Sequence, residues 1–327
     1  MSEQGLAGPA VNRSEAEQSS LSTYQLKAFG LLAILLAATD TAAFACDATT
    51  VDVTHQADVT CYGAVGTGSA DDSRAINTAA SVAVARHVPL VLPAGRYRVT
   101  SPISIDYATD YDTGIEILSQ GAIIDGTAIT GASVLYVYCS GGSPGNPKGC
   151  FYLHLGGTLF VYANTPSVWG VVLGTYDFSD AHNSVKLDHL IVNNAAAGGG
   201  GVLLNYVLNA DAFIVADVGR GGFALGLNQV QFSRLSGAAS STDGWGMWLG
   251  DGYTIANTIQ GFDLEESQWC VVSTSPSSAR NTFVSPYLNC IGGVYSTAGA
   301  DNILLNPLFG GATQIPTWVS AGFKVMQ

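Results

Sequence analysis

Along most of the chain, short apolar runs alternate with Gly, Asn, Ser and Asp. That pattern predicts short strands bounded by turns. One segment departs from it. In "DDSRAINTAASVAVAR", Ala75, Ile76, Ala79, Ala80 and Ala83 fall on one face at helical spacing, which predicts a helix over 72–85. The next stretch, "VPLVLPAGRYRVTSPISI", reads as a strand, a Pro-Ala-Gly turn and a second strand.

The second half carries a repeat. Asn183, Asn205, Asn228, Asn257, Asn281 and Asn302 recur at intervals of 21 to 29 residues. Two places after each stands Val185, Val207, Val230, Ile259, Phe283 or Leu304; seven places after stands Leu190, Ala212, Leu235, Leu264, Leu288 or Phe309. Both columns are apolar in all six copies. One such unit is too small to bury its own apolar face, so neighbouring units must stack. Units of this length with two or three short strands predict a parallel β-helix whose coils lie ~4.8 Å apart. The recurring Asn is then a turn residue, hydrogen-bonded from coil to coil. The clear Asn-marked coils span 183–310, and 46–105 would form an N-terminal cap with the first strands.

Composition changes this picture little. Of the 327 residues, 47% are hydrophobic and only 11% charged, which excludes intrinsic disorder. The net charge of −13 disfavours nucleic acid and strongly anionic polymers. Near the N-terminus, Lys27, the apolar run Ala28 to Ala38 and Ala43-Phe44-Ala45 form a secretory signal pattern. Residues 1–45 are therefore expected to be an overlong leader with a signal peptide, and 46–327 the exported domain. The apolar run is too short to span a bilayer, so no stable membrane span is expected after cleavage. All six cysteines, Cys46, Cys61, Cys139, Cys150, Cys270 and Cys290, lie beyond the cut, which fits a disulfide-bonded secreted or periplasmic protein. Cys139 and Cys150 flank a turn-rich loop that a disulfide would staple.

"YGAVGTGSADDSRAINTAA", followed by "VPLVLPAGRYRVTSPISI", resembles the opening of the pectate-lyase-like (pectin lyase-like) proteins, an opening also found in phage tailspikes. The close resemblance covers 59–105, and a looser repeat pattern covers most of 106–310. It implies an all-β fold: a single-stranded right-handed parallel β-helix with an N-terminal capping α-helix, acting on polysaccharides. Lyases, hydrolases, epimerases and non-catalytic spikes share the opening. Two positions depart from it: Thr67 replaces an acid between two glycines, and His87-Val88-Pro89 replaces a Gly-Gly.

The adjacent acids Asp71 and Asp72 precede the helix, where a carboxylate caps free backbone N–H groups and complements the helix dipole. Candidate chemistry lies later. The residues six places after each repeat Asn are His189, Asp211, Arg234, Asp263, Tyr287 and Leu308. Since position seven points inward, position six points outward. In regular coils Asp211 and Asp263 would stand ~9.6 Å apart, close to the spacing of an inverting glycosidase pair. Arg234 would lie between them and meet developing negative charge. Glu265, two residues beyond Asp263, shares its face as a third acid/base candidate. His189 and Tyr287 are candidate sugar contacts. The same Asp–Arg–Asp order also fits a surface charge ladder worth ~0.2–1 kcal/mol per pair.

The long coil carries "SSTDGWGMWLGDGY", whose Trp245, Trp248 and Tyr253 offer flat apolar faces to sugar rings. Strand alternation there places one Trp inside and one outside. No cofactor or metal is required by any spacing; Ca²⁺ is expected only of a lyase, with the acids around Asp211 and Asp217 as oxygen ligands. The expected function is cleavage of glycosidic bonds in an exported polysaccharide, by hydrolysis or elimination. The alternatives are a non-catalytic carbohydrate-binding adhesin and a tailspike-like receptor-binding depolymerase. The first two are expected as monomers and the last as a homotrimer.

Overall fold

The computed structural model describes residues 55–108, 114–250, 252–275, 277–296, 301–310 and 323–327. The leader, its cleavage site and Cys46 lie outside these residues. The described chain is a right-handed parallel β-helix. Its strands pair in parallel into a long sheet of sixteen strands, a second sheet of eight and a short sheet of three. Each regular coil runs through the short-sheet side, the long sheet and then the eight-stranded sheet.

The register is read most simply along one outward column of the long sheet: Glu116, His154, Lys186, Asp211, Arg234, Thr258, Thr282, Ile303 and Lys324. Coils shorten from 38 residues between Glu116 and His154 to 21 between Ile303 and Lys324. The inward neighbours Leu187, Ala212, Leu235, Ile259, Phe283 and Leu304 are all buried. Stacked apolar columns of this kind make the continuous core that one coil lacks.

The helix forms over Ser73–Arg86 and buries Ala75, Ile76, Ala79, Ala80 and Ala83 against the first coils, as their spacing predicts. The capping detail differs. Asp72 is the N-cap residue, but its carboxylate turns away from the helix and accepts from the backbone of Val65 and Gly66, at 2.7 and 3.2 Å. Asp71 instead accepts from the Ser73 N–H and from Thr100 N–H and Oγ1. Hydrogen bonds from Ser73 and Thr100 lower its pKa to about 2. The acid pair thus ties the helix to a glycine turn on one side and to the next strand on the other.

The six asparagines are not one column. Asn257, Asn281 and Asn302 form the expected internal ladder: each Oδ1 accepts a backbone N–H from the coil before, and each Nδ2 donates to a carbonyl of that coil. Ser233 occupies the same place one coil earlier. Asn205 and Asn228 pair with each other at the end of the eight-stranded sheet, five residues upstream of that corner, and Asn183 lies on the short sheet. Immediately before the ladder corner stands a column of left-handed residues: Tyr152, Ser184, Asn209, Phe232, Ala256, Arg280 and Asp301. The corner uses no glycine, although bulky residues with positive φ are uncommon. It therefore leaves no turn signature in the sequence.

Disulfides join Cys139 to Cys150 and Cys270 to Cys290, and Cys61 is also disulfide-bonded. Beside the first lies a buried polar chain in which Tyr107 Oη meets His182 Nδ1 and His182 Nε2 meets Asp180. His182 and the two sulfurs lie within 4.8 Å of one another. Sulfurs joined to each other and imidazole nitrogens already engaged leave that cluster structural.

Candidate functional site

The outer face of the eight-stranded sheet carries a row of aromatic side chains. Each arises from the same local pattern. Trp169, Phe223, Trp245 and Trp269 occupy one column with Gly200 among them. Each aromatic is followed by a small buried residue: Gly170, Ala224, Gly246 and Cys270. There is no room for a larger side chain at Gly246, nor at Gly201 in the coil where Gly200 replaces the aromatic. A Cβ on Gly201, in the same small column, would lie 2.3 Å from Ala224 O, and one on Gly246 2.9 Å from Cys270 O.

A second consecutive buried residue, such as Val171, Leu225 or Met247, follows the small one. Strict alternation therefore slips by one, and the aromatic ahead of the pair points out. This is why Trp245 and Trp248 both face outward and half-exposed, although alternation predicts one of them inside.

The rings form a contiguous surface. Trp169 leans across Gly200 and Gly226, where added Cβ atoms would lie 2.5 and 2.6 Å from its ring. Its centroid is 6.1 Å from Phe223, and Phe223 is 4.7 Å from Trp245 in an edge-to-face contact. Trp248 Nε1 donates to Thr274 Oγ1 at 2.9 Å, which fixes that indole. Together these rings wall a cavity of about 500 Å³. A second cavity of about 520 Å³ adjoins it through Ser167, Val168 and Trp169 and is lined by Tyr136 and Tyr176. Tyr136 stacks on Tyr138, centroids 4.7 Å apart. The two cavities make one groove running from the strand at Ile103–Asp106 past the strand at Trp245–Leu249. Six strand spacings, to the strand at Trp269–Ser273, give it a length of about 29 Å.

The structure separates the acids expected to work together. Asp211 pairs with Arg234, and Arg234 with Thr258. Asp263 instead pairs with Ala238 and Tyr287, four residues further along the long sheet, about 13 Å from the Asp211 column. The expected column thus merges three, since His189 pairs with Thr158 and lies in neither of these columns. Asn228 precedes the ladder corner by five residues whereas Asn257 stands on it, so six places onward reach different parts of the sheet. Asp211 and Asp217 stand at opposite ends of one strand, about 20 Å apart, too far to share a Ca²⁺ ion.

Asp211 and Arg234 belong to an outward column of polar and charged side chains that also holds Glu116, His154 and Lys186. Exposed His189 packs on Phe213 of the long sheet at 4.9 Å, and Tyr253 is 63% exposed away from both cavities.

Asp263 and Glu265 do share a face, two residues apart on one short strand and half-buried. Burial raises both carboxyls above the ordinary range, and the charges of Asp263 and Glu266 raise Glu265 further. Asp263 Oδ1 is buried without a hydrogen-bond partner. Tyr287 and Asn289 flank the pair on the next coil. The backbone positions of Asp263 and Glu265 are about 6.6 Å apart along the strand.

Comparison with known proteins follows this geometry. Residues 56–134 match the family model for rhamnogalacturonase A/epimerase, pectate lyase-like. The fold is that of the pectate-lyase-like proteins. Similar solved structures include the ORF18 protein of Geobacillus virus E2 (13% identity over 79% of this chain and 62% of that one, TM-score 0.34). They also include the A-module of the mannuronan C-5 epimerase AlgE6 of Azotobacter vinelandii (15%, 77% and 74%, TM-score 0.44). A third is the surface adhesin PfbA of Streptococcus pneumoniae (10%, 77% and 83%, TM-score 0.34). No curated protein sequence matches the chain. The chain spans less than two thirds of the viral protein's length.

On this pectate-lyase-like scaffold, of the residues singled out from sequence only Trp245 and Trp248 line the groove. Trp169, Phe223, Tyr136 and Tyr176 were not foreseen. For Trp169 and Phe223 the signal is in the sequence: "WGVV", "FALG", "WGMW" and "WCVV" each place an aromatic before a small residue and an apolar one, in four of five successive coils.

Proposed function

We propose that this β-helix binds a polysaccharide laid along the aromatic groove of the eight-stranded sheet. The observation that carries the reading is the continuous row Trp169, Phe223, Trp245 and Trp248, a set of apolar ring faces bordered by the hydroxyls of Ser167 and Thr274. Sugar rings have apolar faces and polar edges, and aromatic side chains match both. The disulfides fit an oxidising compartment, where such polymers are met, and no helix among the described residues is long and apolar enough to cross a membrane. Titration of the purified chain with a polysaccharide panel, followed by tryptophan fluorescence and repeated with Trp245→Ala, tests the reading. Binding by the parent that the variant loses supports it; equal binding by both overturns it. Light scattering on the same sample distinguishes a monomer from a tailspike-like trimer.

A second reading, hydrolysis with inversion, rests on Asp263 and Glu265. A carboxyl raised by burial is suited to donate a proton to a leaving oxygen while its ionised partner activates water. Release of reducing ends that disappears in Asp263→Asn and Glu265→Gln supports this reading. Release of an unsaturated product would point to elimination instead.

A further inference from the structure

We infer that the groove selects uncharged glycans and rejects polyuronates and sulfated polymers. The inference rests on the binding role proposed for that groove and names its ligand class. The first observation is the lining itself. Among the described residues no Lys or Arg lines either cavity; the surface is aromatic rings, small residues and hydroxyls.

The second is where the positive charges are. Arg74 and Arg86 are on the capping helix. Arg96 is bound to Asp125, Lys186 to Asp188 and Lys324 to Asp301. Arg98 lies in register with Asp71 and Asp125, Lys148 with Asp180 on the short sheet, and Arg280 stands at the ladder corner. Arg234 stands in the ladder of the long sheet. The cation in the sequence immediately before a groove strand, Arg220, is held by Asp243 at 2.7 Å.

The third is the sign of what surrounds the groove. The Tyr136 pKa is pushed up to about 12 by burial first, then by the negative field of Asp180, and less by Tyr176, Tyr138 and Asp177. A field that disfavours a phenolate disfavours a sugar carboxylate or sulfate at the same place. The chain as a whole carries −13. A polyanion entering this groove meets no counter-charge and a long-range repulsion, whereas a neutral chain meets neither. Ring stacking and hydroxyl hydrogen bonds do not require charge on the sugar.

The experiment uses the full chain and two panels, neutral glucans, mannans, galactans and xylans against polygalacturonate, alginate and a sulfated galactan. Dissociation constants are measured by tryptophan fluorescence at ionic strengths of about 0.01 M and about 0.1 M, where the screening length falls from about 30 Å to about 10 Å. The expected result is a neutral glycan whose affinity changes less than about twofold with salt and falls about 30-fold in Trp245→Ala. Polyanions are expected to bind at least about tenfold more weakly at the lower ionic strength, with the gap narrowing as salt is added. Ser104→Lys, which puts a cation on an exposed groove position, is expected to raise affinity for polygalacturonate.

A polyuronate or sulfated glycan that binds as tightly as any neutral one, through Trp245, overturns the selectivity and leaves the binding role intact. Binding of no glycan through Trp245 overturns the binding role itself. Concentration-dependent self-association that Trp245→Ala abolishes would assign the groove to a second copy of the chain and overturn both.

Discussion

The long sheet and the eight-stranded sheet are built by the same coils, yet their outer faces differ in kind. On the long sheet, Glu116, His154, Lys186, Asp211 and Arg234 stand in one column of mixed polar and charged side chains, and Asp263 and Glu265 follow further along. On the eight-stranded sheet the corresponding outward positions are Trp169, Phe223, Trp245 and Trp269. The inward columns of both are small or apolar. Stacking fixes the inward residues and the corners, because every coil must bury the next. It leaves the outward columns free. A parallel β-helix can therefore carry a charged face suited to proton transfer and a neutral face suited to holding a sugar chain, each varied without disturbing the other.

The sharpest way to break this division is to remove the acids. On the reading that the chain hydrolyses a glycan at Asp263 and Glu265, Glu265→Gln and Asp263→Asn are expected to lower turnover by roughly 10²–10⁴-fold, with binding at the groove unchanged. Kinetics of reducing-end release alongside fluorescence titration separates the two effects. A loss of binding in these variants would show that the two faces are not independent.

The scaffold beneath both faces is the next test. Asn281 accepts from Asn257 and donates to Thr254 O and Asn302 Oδ1, all buried. Asn281→Ala leaves several of these groups without partners, at a cost of about 3 kcal/mol. A urea melt should show it, and affinity at the groove and any turnover should be lost together as the chain unfolds. A much smaller change would mean that the coils relax around the gap.

Trp245→Ala should act on one face only. Removing a central aromatic is expected to cost about 2 kcal/mol of binding, ~30-fold, while a urea midpoint near that of the parent protein shows the core intact. Its partner Phe223 loses an edge contact but keeps Trp169.

How far these faces were legible in the sequence follows from the same distinction. Inward residues obey the coil repeat, so the helix and the strand class could be read from apolar spacing, whereas only Asn257, Asn281 and Asn302 of the six asparagines form the ladder. Outward residues are placed by corners, and the main corner here is made by residues such as Tyr152, Phe232 and Arg280 in left-handed conformation, which no turn composition announces. Without that corner, Asn228 and Asn257 look equivalent, and Asp211 and Asp263 fall wrongly into one column. The aromatic groove was half visible, through Trp245 and Trp248. Trp169 and Phe223 were hidden because the small buried residue after each shifts the strand's alternation.

Acid titration separates the regions more gently. Hydrogen bonds lower Asp71 from 3.8 to about 2 in the folded protein, so its contribution is present above about pH 4 and is lost as pH falls towards 2. Asp263 and Glu265 are shifted the other way by burial, so the folded state binds their protons more tightly and stability declines as pH rises through the range above their ordinary values. Stability measured against pH should lose the first slope in Asp71→Asn and the second in Asp263→Asn. Slopes that persist unchanged would mean that other groups dominate.

The smallest effect belongs to the charge ladder. Asp211 and Arg234 are register neighbours on exposed strand positions, screened by water. Cross-strand opposite charges of this kind couple by ~0.2–1 kcal/mol. A double-mutant cycle with Asp211→Ala and Arg234→Ala, read by urea melts at low and high salt, should give a coupling in that range that shrinks as salt is added. Neither single variant should alter binding at the groove. A coupling well above 1 kcal/mol, or any change in glycan affinity, would mean that the ladder does more than stabilise the surface and that the two outer faces communicate through the coils.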